Sequence, residues 1–146
     1  MNKPAPIAGF IILLICFSAL LKAQKQIPYV NSADSIRFGI MITDTGGYAA
    51  ASKLYETISD NDTNYALALI EDAIAKEALE LDSDAIALCR KGLLLESDYT
   101  PDFYNTLANV YLDEGDYSTA VKLLKDTALP AYSNVHKLYY TLGLAQ

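Results

Sequence analysis

Phe103–Leu124, FYNTLANVYLDEGDYSTAVKLL, is the stretch that decides the fold. Tyr104, Leu107, Ala108 and Tyr111 recur at three- and four-residue steps, so they share one face of a helix. Ala120 and Leu124 do the same in a second helix. Ala108 and Ala120 are small enough to let two helix backbones approach closely. Gly115 between them tolerates a left-handed backbone and ends the first helix. Asp116 can cap the second. Two short amphipathic helices cannot bury their apolar faces alone, so this unit needs neighbours of its own kind.

Those neighbours are present in the chain. Upstream, Ser35-x2-Phe38-Gly39-x2-Ile42 is followed by Ala51-x3-Tyr55, with Gly46-Gly47-Tyr48 at the turn. Downstream, Tyr139-x2-Leu142-Gly143 begins another copy that stops at Gln146. The second helices carry their small residue at Ala51, Ala85 and Ala120, at intervals of 34 and 35 residues. This pattern resembles the tetratricopeptide repeat (TPR), a helix-turn-helix unit of about 34 residues. The resemblance covers roughly residues 33–146. It implies an all-α solenoid of about three helical hairpins plus a terminal helix, wound as a right-handed superhelix. The middle copy departs from the pattern. Counting back from Ala85 puts Asp72 and Lys76 at large apolar positions, while the apolar stripe reads Leu67, Ile70, Ile74, Ala78. Its turn, Glu80-Leu81-Asp82-Ser83, lacks glycine.

Residues 1–23 are of another kind. Lys3 precedes an almost unbroken apolar run from Ile7 to Leu21, and Lys22-Ala23-Gln24 follows. The expectation is a cleaved signal peptide ending at Ala23, hence export to a periplasm or cell envelope. Fifteen helical residues span about 22 Å, short of a hydrocarbon core of about 30 Å, so no stable membrane insertion is expected after cleavage. Cys16 follows the bulky Ile15, which argues against a lipoprotein anchor there. Cleavage removes Lys3 and Lys22, so 11 basic residues become 9 against 18 acidic, a net charge of −9. Such a surface repels nucleic acid. Cys89 is then the single cysteine, without an intrachain partner, and reads as packing.

Residues 24–32 contain Pro28 and no helical period, and read as an arm that Asn31 or Ser32 ends by capping the first helix. Helices follow at about 33–43, 47–59, 63–79, 83–96, from Thr100 onward, up to Pro130, and from about 131–133. The last copy is incomplete. In the family pattern Leu138, Tyr139 and Leu142 face the preceding pair, and Tyr140 and Leu144 then remain apolar on other sides, which suggests a piece of a longer repeat protein, or a helix that meets a partner.

Asp60-x-Asp62-x-Asn64 with Glu71 nearly spells a calcium loop. Tyr65 stands where that loop turns sharply and needs glycine, and Leu67, Ile70 and Ile74 have a helical period. A polar turn in which Asp60, Asp62 or Thr63 caps the next helix is the simpler reading. His136 has no cysteine or histidine at ligand spacing. No glycine-rich phosphate loop or serine elbow occurs, so neither an enzyme, a cofactor nor a metal site is expected.

The resemblance also implies a concave groove lined by the first helix of each pair. Carried onto this sequence, it presents Asp102, Asn105, Asn109, Leu112 and Asp113, and from the last helix Lys137 and Tyr140. The packing set it implies is Phe38, Gly39, Ile42, Ala51, Tyr55, Ala85, Tyr104, Leu107, Ala108, Tyr111, Ala120, Leu124, Leu142 and Gly143. The lysine-rich clamp that some family members close on a peptide carboxylate is not evident, since Lys137 stands alone. The expected role is an exported scaffold that binds a protein or peptide. A sensor or spacer part of a larger envelope signalling protein, and a calcium-regulated module through residues 60–71, are the alternatives.

Overall fold

The computed structural model describes residues 31–146. The expected signal peptide and almost all of the arm lie outside the described residues. Seven helices and no strands are found among those described. They are α1 (Ser32–Thr43), α2 (Tyr48–Tyr55), α3 (Tyr65–Ala78), α4 (Asp82–Leu93), α5 (Thr100–Asp113), α6 and α7 (His136–Leu144). α6 is composite: Tyr117–Lys122 is α-helical, Leu123–Ala128 is π-helical, and Leu129–Ala131 completes it. Pro130 was expected to end this helix. It has no N–H and its ring crowds the preceding turn, and the widened π turn lets it sit inside the last turn instead. α7 starts at His136, a few residues later than expected.

The helices pair as α1/α2, α3/α4 and α5/α6, and α7 packs on α5 and α6. First helices also touch, α1 with α3, α3 with α5 and α5 with α7. The hairpins therefore stack in sequence order.

Each hairpin turns in the same way. Gly46, Glu80 and Gly115 lie 34 and 35 residues apart and have φ of +81°, +59° and +77°. The next residue donates its N–H to the carbonyl five back: Gly47 to Ile42 at 2.9 Å, Leu81 to Lys76 at 2.9 Å, Asp116 to Tyr111 at 2.8 Å. This bond satisfies a carbonyl that the helix end leaves free. Asp116 then caps α6, its carboxylate accepting from the Thr119 N–H at 3.1 Å. Asn31 caps α1, accepting from the Ala33 N–H at 3.2 Å.

The core lies in three seams. Ile36, Ala51, Tyr55, Ala68 and Ala75 fill the first. Leu69, Ile70, Ala73, Cys89, Phe103 and Leu107 fill the second. Ala108, Ala120, Leu124, Ala128, Leu138 and Ala145 fill the third. Of the remaining packing residues, Gly39 and Ala85 are buried, while Ile42, Tyr104, Tyr111 and Leu142 are half-buried against these seams.

Three positions differ from the expectation. Phe38 is 57% exposed, because its equivalent Leu107 packs on the preceding hairpin and no preceding hairpin exists among the described residues. Tyr139 is 48% exposed and Gly143 has open space around it. Their equivalents Tyr104 and Ala108 pack against α6, and no described helix follows α7. α7 instead buries Leu138, Thr141 and Ala145. The middle copy keeps its register: Leu69 and Ala73 are core, and Asp72 is buried. Ile74 and Ala78, read from the sequence as part of the apolar stripe, are exposed, because α3 has packed neighbours on both flanks and those two residues face outward between them.

Two substitutions test these turns and seams. Glu80→Gly removes a side chain from a left-handed position and should raise stability by about 0.5–1 kcal/mol, read as a higher melting temperature. Gly92→Ala should lower it by about 1–3 kcal/mol, because the new Cβ would lie 2.1 Å from the Phe103 ring.

Candidate functional site

The first helices share one open side, and the residues on it recur with the repeat. Ile74 and Ala78 of α3, both exposed, lie 35 residues before Asn109 and Asp113 of α5. Lys137, Tyr140 and Leu144 of α7 lie 35 residues after Asp102, Asn105 and Asn109. Two cavities open along this side. One, of about 540 Å³, runs between α5 and α7 and is lined by Glu77, Asn105, Asn109, Leu112, Asp113, Tyr117, Lys137, Tyr140, Thr141 and Leu144. The other, of about 420 Å³, runs between α3 and α5 and is lined by Tyr48, Ile74, Glu77, Ala78, Asn105, Thr106, Asn109 and Asp113. Glu77, Asn105, Asn109 and Asp113 line both, so the two form one groove with these four at its waist.

Six of the seven residues assigned to partner contact line the groove; Asp102 does not. It accepts a hydrogen bond from the Lys137 ammonium and so ties α5 to α7. Asn105 is also committed in part, its Oδ1 accepting from the Thr141 hydroxyl at 2.8 Å. Its NH2 group remains for a ligand. Asn109 makes no side-chain hydrogen bond among the described residues. Sequence reasoning did not assign Tyr48, Ile74, Glu77, Ala78, Thr106, Tyr117, Thr141 and Leu144 to partner contact. The repeat spacing held the signal for some of them: Glu77 lies 35 residues before Leu112, and Leu144 lies 35 after Asn109.

The groove is electrostatically uneven. Burial pushes the Glu77 carboxyl up to about 7, and the Asp113 and Asp82 carboxylates push the same way. Burial raises Glu71 as well, with Asp102 and Asp44 adding to it. Lys137, the one cation lining either cavity, is held by Asp102.

Residues 60–71 do not gather a calcium site. Tyr65 opens α3 and Glu71 lies within it, half-buried, so the closing carboxylate is carried away on a helix. Asp62 accepts from the Asn64 N–H at 2.8 Å and from the Ser32 hydroxyl at 2.9 Å. The bond from Ser32 fastens the start of α1 to the loop before α3. Neither Asp62 nor Thr63 is the helix cap; Asn64 stands at that position and makes no side-chain capping bond. His136 is exposed at the start of α7. Cys89 is fully buried, its thiol pushed up to about 12 by burial and then by Glu77. Among the described residues no helix is long and apolar enough to cross a membrane.

The shift at Glu77 has a definite sign. An unfolded glutamate titrates near 4.5 and the folded one at about 7, so between those values the folded state binds more protons. Stability therefore falls as pH rises from about 4.5 through 7. Glu77→Gln should flatten that fall and make the protein about 1–3 kcal/mol more stable near pH 8, checked by urea unfolding near pH 5 and pH 8. Glu71 and Asp72, raised in the same direction, leave part of the slope in place.

No protein-family model matches the sequence, and no curated protein matches it. Among solved structures the chain is similar to the TPR2AB domain of yeast Sti1 in its complex with pHSP90, at 17% identity and a TM-score of 0.65. The match covers 99% of this chain and 57% of that one, so the chain spans little more than half its length. The likeness is one of fold: a TPR-like stack of helical hairpins.

Proposed function

We propose that this chain is an exported scaffold module whose TPR-like stack holds a peptide or helix of another protein in the groove between α3, α5 and α7. The observation that carries the reading is the groove itself. It is continuous across two repeat junctions, it lies on the side that first helices share, and it keeps polar groups free at its waist. A segment laid along it meets Asn109 and the Asn105 amide, which can bond a peptide backbone, and flanking aromatic and apolar side chains. The role is one of binding rather than of chemistry. Export to a periplasm or cell envelope is supported by the charged start, apolar run and small-residue end of residues 1–23.

Crosslinking in the native cells tests the reading. A photoreactive residue at position 109 should trap a discrete partner. The same residue at position 87, on α4 and outside the groove, should not. Equal trapping at both sites, or loss of no crosslink on Tyr140→Ala, would put the binding surface elsewhere.

A further inference from the structure

The waist of the groove holds two carboxylates, Glu77 and Asp113, that no cation neutralises. Among the described residues neither has an ion-pair partner, and the ion pairs present join Arg37 to Asp34, Lys76 to Glu56 and Lys137 to Asp102. Glu77 comes from α3 and Asp113 from α5, so two hairpins converge on one negative point. Beside it stands an apolar shelf. Tyr117, Tyr140 and Leu144 line the same cavity and are 54%, 70% and 56% exposed. Large side chains held that far into water on one wall of a groove mark a contact surface. Tyrosine faces also accept guanidinium or ammonium groups.

We propose that the segment held in this groove is basic: it sets a lysine or arginine side chain against Glu77 and Asp113, and a neighbouring apolar side chain against Tyr117, Tyr140 and Leu144. This rests on the groove being the binding surface, and adds what that surface accepts. A peptide rich in acidic residues, or ending in a carboxylate at the waist, would bring like charge onto two unneutralised carboxylates in a half-dry site. A cation there reverses the repulsion that already holds the Glu77 carboxyl above its ordinary range. The chain's net charge of −7 draws such a segment in from a distance. The polar waist supplies the backbone contacts, so the cation decides which segment is taken and the shelf decides how tightly.

Panning phage-displayed random dodecapeptides on the purified protein, in low salt near pH 8, tests this. The bound pool should be enriched in lysine or arginine beside an apolar residue. A selected peptide should lose about tenfold or more in affinity on Glu77→Gln, and likewise on Asp113→Asn, an exposed position where folding is not at stake. Peptides that are lost on Tyr140→Ala or Asn109→Ala yet show no basic enrichment, or that bind Glu77→Gln and Asp113→Asn as well as wild type, would overturn the inference and leave the groove standing. Peptides indifferent to all four substitutions, or no enrichment of any peptide, would overturn the groove reading and this one with it.

Discussion

The close approach of paired helices at small side chains is the contact on which the architecture depends. Gly39, Ala73 and Ala108 in the first helices, and Ala51, Ala85 and Ala120 in the second, are all buried and recur with the repeat. At Gly39 even a single added Cβ would lie 2.4 Å from the Tyr55 ring. With the backbones this near, the larger residues on either side are turned outward from the pair. They meet the neighbouring hairpin instead, as Leu107 meets the preceding one in the seam that holds Leu69 and Cys89. Nesting within a pair thus creates the face that makes pairs stack. The common left-handed turn serves the same end, because it closes every hairpin with the same backbone bond.

One seam is built differently. Between α2 and α3, Asp72 is 4% exposed where the repeat places a large apolar residue, and Ser52 is buried opposite. Lys76 reaches across to Glu56 at 2.9 Å. The Asp72 Oδ1 and the Tyr55 hydroxyl find no hydrogen-bond partner among the described residues. A buried polar group left in that state costs about 1–3 kcal/mol, and burial accordingly raises both the Asp72 carboxyl and the Tyr55 phenol, the latter to about 12. In a stack whose stability is roughly a sum over neighbouring junctions, this makes the first junction weaker than the two filled by leucine, phenylalanine and alanine.

These features were legible in the sequence to different degrees. The phase of Ala51, Ala85 and Ala120, the left-handed Gly115 and the Asp116 cap are local chemistry, and a single chain displays them. Glu80 hid the middle turn, because a glutamate does not advertise a positive φ; only its place between Gly46 and Gly115 in the repeat does. The stripe Leu67, Ile70, Ile74, Ala78 misled in half of its length: Leu67 and Ile70 pack into the seams, while Ile74 and Ala78, equally apolar and in the same period, continue the groove through Asn105 and Asn109. Periodicity finds a face of α3 but not which neighbour covers it. The bonds from Thr141 to Asn105 and from Lys137 to Asp102 join residues far apart in the chain, and no local signal announces them.

The groove row obeys a different logic from the packing rows. A packing position meets the same neighbour in every repeat, so its residue stays small or stays large. A groove position meets whatever lies in the groove, which need not repeat. Along the row the residues change accordingly: Ile74 becomes Asn109 and then Leu144, and Asn105 becomes Tyr140. Apolar ends therefore flank a polar waist, and the waist is where the two carboxylates come together. Glu77 stands in step with Leu112, a position that an apolar side chain fills comfortably one repeat later. A carboxyl there gains nothing from the fold, since burial and Asp113 both oppose its charge. On the proposed binding role, its presence answers to the segment held in the groove rather than to what it packs against.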